Sequence, residues 1–235
     1  MEQYLSLLAN MPLFNRIAPE EIPKVLACMQ ANWKHYPKGM LIRSEGDPAD
    51  FIGIVLEGAI QVVHFDFRGY RTITASLSVG EMFGESISLA GISELPFAIQ
   101  AVTDCVVLFL SVGKILQPGA CGFHMQLTQN LLTIVSRKNM MLNRKLHYIS
   151  RKTTGEKLLS YLDDQAKRHH SNEFTIPFDR QSLADYLGVE RSAMAAEISK
   201  LQRRGVIETK RSWFRLLNSQ MVDNAQCVTI ETNTD

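Results

Sequence analysis

Hydrophobic and polar residues change their spacing twice along the chain. Between residues 33 and 110, short β-branched, aliphatic or aromatic runs (FIGIVL, IQVVHF, TITASL, FAIQAV, CVVLFL) are separated by glycine, proline and aspartate. Strands of this length and spacing are typical of an antiparallel barrel or sandwich. The segment HFDFRGYRTI predicts a β-hairpin with Gly69 near its tip. Helices are predicted before this region, over residues 2–9 and 19–30.

From residue 119 to about residue 150 the spacing is helical. Side chains repeat at alternating intervals of three and four: Met125, Thr128, Leu132, Val135, Asn139, Leu142, Leu146 and Ile149. These are the a and d positions of a heptad repeat, which predicts pairing with the same helix of a second copy. Asn139, at an a position, is a residue type that fixes the register of parallel coils. The predicted dimer contacts are Leu132, Val135, Asn139, Leu142, Leu146 and Ile149. The alternative is a long helix that packs on its own domain.

The last third of the chain predicts a helix-turn-helix. Thr153 or Thr154 caps a helix over 155–169, and two short helices follow over 180–187 and 191–204. Their spacing places one set of side chains between the two helices: Leu183, Ala184, Leu187, Met194, Ile198 and Leu201. Gly188 permits the turn, and the second helix of such a pair enters the DNA major groove. A hairpin over 206–217 carries Lys210 and Arg211 at its tip, as wings do, although a solvated turn has the same composition.

Composition narrows the class of protein. With 46% hydrophobic and 21% charged residues, the chain can bury two cores. Net charge is +1, but residues 150–217 carry 13 basic and 9 acidic side chains, which suits a nucleic-acid-binding module. The four cysteines show no paired spacing, and no segment matches a signal peptide or a membrane span, so a cytoplasmic location is predicted. Glu81 and Glu85 lack a neighbouring histidine or metal set, and no phosphate loop or GxSxG motif is present, so an enzyme is not predicted.

The chain resembles the bacterial transcription regulators typified by the cyclic-AMP receptor protein and the oxygen-sensing fumarate-nitrate regulator, the Crp/Fnr family. The likeness covers roughly residues 10–217. It is carried by PLF (12–14), YPKGMLIRSEGDPADFIGIVLEGAIQV (36–62), GEMFGE (80–85), AVTDCVVLFL (101–110), the heptad helix and the helix-turn-helix, in this order. The resemblance implies an α+β fold: an N-terminal antiparallel β-roll of the cyclic-nucleotide-binding type, a dimerisation helix and a C-terminal winged helix-turn-helix.

The predicted domains are a β-roll effector-sensing domain with N-terminal helices over residues 1–118, a dimerisation helix over 119–150, a DNA-binding domain over 151–217 and a polar tail over 218–235. In the family, the recognition helix usually presents an arginine, then an acid, and a second arginine one turn later. Arg191 matches the first position, whereas Ser192 and Ala196 replace the acid and the second arginine. The predicted DNA contacts are Arg180, Gln181, Ser182, Arg191, Ser192, Ala195, Ala196, Lys200, Lys210 and Arg211. Arg203 contacts phosphate or, with Arg204, the C-terminal helix dipole.

The sensor region departs from the cyclic-nucleotide members. Those members place an arginine-serine pair about ten residues after the second glycine-glutamate, where this chain has Leu95 and Pro96. A phosphate buried there would lose its charge-assisted hydrogen bonds, which argues against cyclic AMP. A more hydrophobic effector is expected, and a pocket filled by side chains is the alternative. The predicted effector contacts are Gly84, Glu85, Leu95, Pro96, Phe97, Met125, Thr128 and Leu132.

Other family cofactors lack their ligands in this sequence. Only Cys28 lies in the N-terminal region, which argues against an iron–sulfur cluster. His64 and His124 are isolated histidines, which argues against haem. We predict a homodimeric transcription regulator of this family, an activator by the family's habit, controlled by a small molecule. Its predicted partners are an inverted repeat of double-stranded DNA and RNA polymerase. The alternatives are a ligand-binding or interaction protein with degenerate DNA-binding activity, and a redox-responsive regulator.

Overall fold

The computed structural model describes residues 2–65, 68, 71–117 and 122–217. The chain divides into two compact units, Met1–Arg137 and Lys138–Asp235. Gly69 at the predicted hairpin tip, the start of the predicted long helix at residues 119–121, Cys227 and the predicted polar tail lie outside the described residues.

Two antiparallel sheets form the β-roll of the first unit. Its described strands are β1 (Asn32–Tyr36), β2 (Leu41–Arg43), β3 (Phe51–Glu57), β4 (Ile60–Phe65), β5 (Arg71–Leu77), β6 (Met82–Phe83), β7 (Ala98–Ala101) and β8 (Cys105–Ser111). One sheet has the order β1-β8-β3-β6 and the other the order β2-β7-β4-β5. Strands β3 and β8 pair in the first sheet. They contain FIGIVL and CVVLFL, the most continuous apolar runs of the region.

Both faces of β3 and β8 are covered, which explains their unbroken apolar sequences. On one face, Ile54 and Leu108 join a core formed with the N-terminal helices. On the other face, Val55 and Val107 join a second core that includes Ile99 of β7, in the opposite sheet. The described helices of this unit are α1 (Glu2–Ala9), α2 (Ile22–Cys28), α3 (Glu85–Leu89) and α4 (Val112–Leu116), followed by the start of α5 (His124–Ile149). Single-turn 3-10 helices lie at Pro12–Phe14 and Pro19–Glu21.

Helix α5 presents two apolar faces. Leu127 and Leu131 are fully buried in the first unit's core. The other apolar face coincides with the predicted heptad positions and is largely exposed in the single chain. Its exposed fractions are 71% for Met125, 67% for Leu132, 62% for Leu142 and 58% for Leu146, and Asn139 is also exposed. Thr128, Val135 and Ile149 are half-buried.

A buried asparagine ties α5 to the first unit. The Asn130 side chain is 6% exposed. Its amide donates hydrogen bonds to the carbonyl oxygens of Leu13, at 2.8 Å, and Asn15, at 2.9 Å, and its own oxygen accepts one from Gln126 at 3.0 Å. Leu13 lies in the 3-10 helix Pro12–Phe14, and Asn15 directly follows it. This segment and α5 are therefore held together by polar contacts as well as by apolar packing.

The second unit contains the end of α5 and a helical module with a three-stranded sheet. Its further elements are α6 (Thr154–His169), β9 (Glu173–Thr175), α7 (Arg180–Leu187), α8 (Arg191–Arg203), β10 (Ile207–Lys210) and β11 (Trp213–Leu216). The sheet order is β10-β11-β9, with antiparallel pairing. Thr153 and Glu156 form a reciprocal capping box at the start of α6. The α+β fold class predicted from the sequence is confirmed.

Replacing Asn130 by alanine should lower the free energy of unfolding by about 2 kcal/mol, because the buried carbonyl of Leu13 and the partly buried carbonyl of Asn15 lose their donor. Urea unfolding followed by circular dichroism measures the change. Asn143→Ala is the matched control, since the Asn143 amide donates to exposed Asn139 on the same helix. The control should change stability by less than about 0.5 kcal/mol. Equal effects of the two substitutions would contradict a role for the buried amide.

Candidate nucleic-acid interface and effector region

Helices α7 and α8 form the predicted helix-turn-helix around Gly188, whose φ of 61° places it in the left-handed region. Asp179 caps α7: its Oδ1 accepts from the Ser182 backbone N–H at 2.7 Å. This backbone hydrogen bond is the largest cause that lowers the pKa of Asp179 from its ordinary value. The side chains predicted to lie between the two helices are all buried: Leu183, Ala184, Leu187, Met194, Ile198 and Leu201.

The outward face of α8 is exposed at each position predicted to meet bases. Arg191, Ser192, Ala195 and Ala196 all lie on it. Ser199 extends the same face by one turn and is also exposed, and its hydroxyl donates to the Ala195 carbonyl at 3.0 Å. Sequence reasoning missed Ser199, although its spacing of seven residues from Ser192 marks the same helix face. The face therefore offers one guanidinium, two hydroxyls and two methyl groups.

Arg180 was predicted to contact phosphate, but its guanidinium lies against the wing. Its Nη2 donates to Thr209 Oγ1 at 2.7 Å, and the group stacks 4.8 Å from the centre of the Phe214 ring. Burial lowers the pKa of Arg180 from its ordinary value. Nη1 is buried without a hydrogen-bond partner among the described residues. Thr209 in turn donates to the Trp213 carbonyl at 2.7 Å. Arg180 thus joins the start of α7 to both wing strands.

The other residues predicted to contact the DNA backbone are exposed. Gln181 and Ser182 lie in the first turn of α7, and Gln181 donates to Asp185 at 2.8 Å. Lys200 pairs with Glu197 at 3.3 Å. Lys210 ends β10, and Arg211 lies in the turn between the wing strands with a φ of 53°. These cations remain accessible for phosphate contacts, and Arg203 and Arg204 are exposed as well.

Glu197 also packs against α6, a contact that the sequence did not indicate. A Cβ atom added at Gly155 would lie 2.5 Å from Glu197 Oε1. Gly155 is buried near the start of α6, so the glycine allows the middle of α8 to approach that helix closely. The two helices are in contact along this region. The outward face of α8 is thus set on a scaffold of α6 and α7.

The predicted effector residues occupy different environments in the β-roll. Gly84 has a φ of 81° and starts α3, and a Cβ there would lie 3.0 Å from the Phe51 carbonyl oxygen. Glu85 follows it and is 3% exposed. Leu95 is 1% exposed and belongs to the core between the sheets, whereas Pro96 is exposed. Phe97 is half-buried, with its ring 5.8 Å from the His64 ring.

The three predicted effector contacts on α5 are less buried. Met125 and Leu132 are exposed, and Thr128 donates to the Ile115 carbonyl at 3.4 Å. Sequence reasoning also missed Arg43, a cation within the β-roll. Its guanidinium carbon lies 5.0 Å from the centre of the Phe51 ring and 4.6 Å from that of Phe109. Such stacking stabilises a partly buried cation.

The environments of Cys105 and Cys28 are relevant to the alternative prediction of a redox-responsive regulator. Cys105 is 1% exposed in the core between the sheets, and burial raises the pKa of its thiol. A raised pKa lowers the fraction of reactive thiolate. Cys28 is half-buried. Among the residues that the structure describes, no group of three histidine, cysteine or acidic side chains is arranged to hold a metal ion. Within the same residues, no helix is long and apolar enough to cross a membrane.

Comparison with known proteins agrees with this geometry. Residues 33–117 match the family model of the cyclic nucleotide-binding domain, and residues 156–222 match that of the Crp-like helix-turn-helix domain. The nitrogen fixation regulation protein FixK of Rhizobium meliloti is 25% identical over 191 residues, which cover 81% of this chain and 81% of that protein. The transcriptional activator protein FnrL of Cereibacter sphaeroides is 25% identical over 187 residues, 74% of this chain and 72% of that protein.

A solved structure shares the fold. DNR from Pseudomonas aeruginosa aligns with a TM-score of 0.51 at 17% identity, over 95% of this chain and 98% of that chain. The two domain matches follow one another in the order that the sequence predicted, and the two relatives align over 81% and 74% of this chain. The chain therefore belongs to the Crp/Fnr family of DNA-binding transcription regulators.

Proposed function

We propose that this protein is a homodimeric transcription activator that binds an inverted DNA repeat and responds to a small-molecule effector other than cyclic AMP. The observation that carries the proposal is the exposed face of α8, on which Arg191, Ser192 and Ala196 are all accessible. The name of the relative FnrL supports activation, which requires RNA polymerase as a partner. A protein that acts on chromosomal DNA works in the cytoplasm.

The composition of this face predicts a half-site unlike that of the typical family members. Arg191 can bind guanine O6 and N7 with two hydrogen bonds, which is worth about 1–3 kcal/mol of discrimination. Ser192 offers a single, less selective hydrogen bond. Ala195 and Ala196 can contact a thymine methyl group but provide no donor for guanine. We expect one strongly specified guanine in each half-site, with weaker preferences beside it.

Dimerisation through α5 is supported by the exposure of its heptad face. Met125, Leu132, Leu142 and Leu146 are each more than half exposed in the single chain. Burying one leucine side chain contributes about 1.5–3 kcal/mol, so pairing of two such helices is strongly favoured. A two-fold dimer presents two copies of α8, which suits an inverted repeat.

The proposed effector is not cyclic AMP, because the phosphate-binding pair is replaced by apolar residues. Leu95 is buried in the core between the sheets, and Pro96 has no side-chain donor. A cyclic phosphate at this position would lose its hydrogen bonds at a cost of several kcal/mol. Gly84, Glu85 and Phe97, with Met125, Thr128 and Leu132 of α5, remain the proposed contacts of a more hydrophobic effector. Haem and an iron–sulfur cluster are not proposed.

Selection of bound fragments from random duplex DNA at low salt tests the proposed function. We expect enrichment of an inverted repeat whose half-site centres lie about one helical turn apart. The selection is repeated with cell extract to supply a missing effector. If no sequence is enriched under either condition, the proposal of a sequence-specific regulator fails.

Alanine substitutions of Arg180 and Arg191, at the starts of α7 and α8, should affect stability and DNA binding differently. Arg191→Ala should weaken binding to the selected DNA about tenfold or more and leave stability within about 0.5 kcal/mol, because Arg191 is exposed. Arg180→Ala should lower the free energy of unfolding by about 1–3 kcal/mol, because Thr209 and Phe214 lose their partner. DNA titration and urea unfolding of both variants give the comparison. A larger loss of stability for Arg191→Ala would contradict this assignment.

Adjacent residues of α5 test the dimer. Leu142→Asp places a charge in the predicted seam and should raise the dimer dissociation constant about 100-fold or more, since two leucines lose their burial. Met141→Asp is the matched control, because Met141 is 65% exposed and lies outside the heptad positions. Sedimentation equilibrium measures both. The seam would be refuted if Leu142→Asp dimerised as strongly as Met141→Asp.

A further inference from the structure

An aromatic cluster joins the last turn of α5 to α6 and α7. The Tyr148 ring of α5 lies 5.5 Å from that of Tyr161 in α6 and 6.4 Å from that of Tyr186 in α7. Tyr186 stacks on Phe178 at 4.8 Å. All of these residues belong to the second unit. The end of the long helix is thus packed onto the helix-turn-helix module.

Tyr148 adds a polar bond to this packing. Its hydroxyl donates to Asp164 Oδ2 at 2.6 Å, and the residue is 2% exposed. Burial, with the Asp164 carboxylate, raises the pKa of Tyr148 well above its ordinary value, so the hydroxyl keeps its proton. A hydrogen bond to a carboxylate is among the stronger kinds in proteins. It spans the connection between α5 and α6, residues 150–153.

Tyr161 is a natural comparison for Tyr148. It is also 2% exposed and lies in the same cluster. Its hydroxyl, however, is buried without a hydrogen-bond partner among the described residues. Two buried tyrosines therefore differ mainly in whether the hydroxyl is bonded, and only the Tyr148 hydroxyl connects α5 to α6.

Further contacts restrain the same connection. The Glu156 carboxylate accepts from the backbone N–H groups of Lys152, at 3.0 Å, and Thr153, at 3.2 Å. Lys145 Nζ lies 5.1 Å from the centre of the Tyr186 ring. These contacts hold the connection on both sides.

We propose that the Tyr148–Asp164 hydrogen bond fixes the DNA-binding module to the end of α5, and that Tyr148 is thereby a positioning residue that sets the half-site spacing the dimer accepts. This inference rests on the proposed dimeric binding of an inverted repeat. Inserting one base pair between half-sites separates them by about 3.4 Å and rotates them by about 34°. A module held rigidly on α5 cannot follow this change, whereas a released module can.

Tryptic cleavage tests the restraint without DNA. The connection contains Arg151 and Lys152, and the bonds after Lys200 and Arg203 in α8 provide an internal reference. Tyr148→Phe and Asp164→Ala should each raise cleavage at the connection about tenfold relative to the reference, because the population of the open form increases. Tyr161→Phe is the matched control and should leave this ratio within about twofold, since its hydroxyl has no hydrogen-bond partner in the described part of the chain.

Spacing selectivity tests the positioning role. The probes are the inverted repeat selected by the unmodified protein and the same duplex with one or two base pairs inserted between half-sites. We expect the unmodified protein and Tyr161→Phe to lose about tenfold or more in affinity per inserted pair, and Tyr148→Phe and Asp164→Ala to lose about threefold or less. General destabilisation would lower the affinity for all three duplexes alike and leave their ratios unchanged.

Each result decides the proposal. Faster cleavage at the connection together with relaxed spacing supports it. Cleavage ratios equal to those of Tyr161→Phe, or faster cleavage with unchanged spacing selectivity, would overturn it. If the unmodified protein bound no duplex, the proposed function would fail, and the positioning role would fail with it, while the cleavage ratios would still show whether the hydrogen bond restrains the connection.

Discussion

Helix α5 carries an apolar face that the described residues of the chain leave exposed, and the proposed dimer depends on this face. Leu127 and Leu131 face the core of the first unit, so they are satisfied within the chain. Leu132, Leu142 and Leu146 face solvent. The two sets follow different positions of the same heptad and therefore lie on different faces of the helix. We propose that the exposed face pairs with an identical helix, because strict heptad spacing suits that partner best.

The DNA-binding unit contains one arginine that is used in its internal packing and other cations that are exposed to solvent. Arg180 is turned toward the wing, where Thr209 and Phe214 hold it, and its desolvation lowers its pKa. Arg191 and Lys210 remain exposed. Net positive charge in this region is therefore an incomplete guide to DNA contacts, because one of its cations is used to join α7 to the hairpin. We therefore propose that base discrimination depends mainly on one guanidinium on α8, that of Arg191.

Local patterns were sufficient to predict most elements, since helix and strand periods, caps and turn residues act within a few positions. The bounds of α7 are an example, and one of the two threonines predicted to cap α6, Thr153, is its N-cap residue. Contacts between distant segments were not predictable in this way. Nothing near Asn130 indicates that its amide meets carbonyls 115 and 117 positions earlier. Similarly, the sequence placed Arg180 among the predicted phosphate contacts, and no local pattern indicates that Phe214 lies under its guanidinium. That contact depends on tertiary packing.

The predicted effector region shows the same limit of prediction from local sequence patterns. The replacement of a phosphate-binding pair by Leu95 and Pro96 was visible in the sequence, and the burial of Leu95 gives it a physical meaning. Arg43 was passed over because a single arginine in a strand carries no periodic signal. Its position over Phe51 and Phe109 required the fold of both sheets. The sequence therefore showed that a phosphate-binding pair is absent at Leu95 and Pro96, but it did not show that Arg43 lies against aromatic rings in the β-roll.

The buried residues of α5 lie toward its two ends. Its first part is held in the β-roll core by Leu131 and by the Asn130 hydrogen bonds, and its last turn is held by Tyr148. Between them, every side chain from residue 136 to residue 143 is exposed in the single chain. This segment includes the heptad positions Asn139 and Leu142. In the proposed dimer, the partner helix would cover these two positions, because a and d side chains pack against the facing helix.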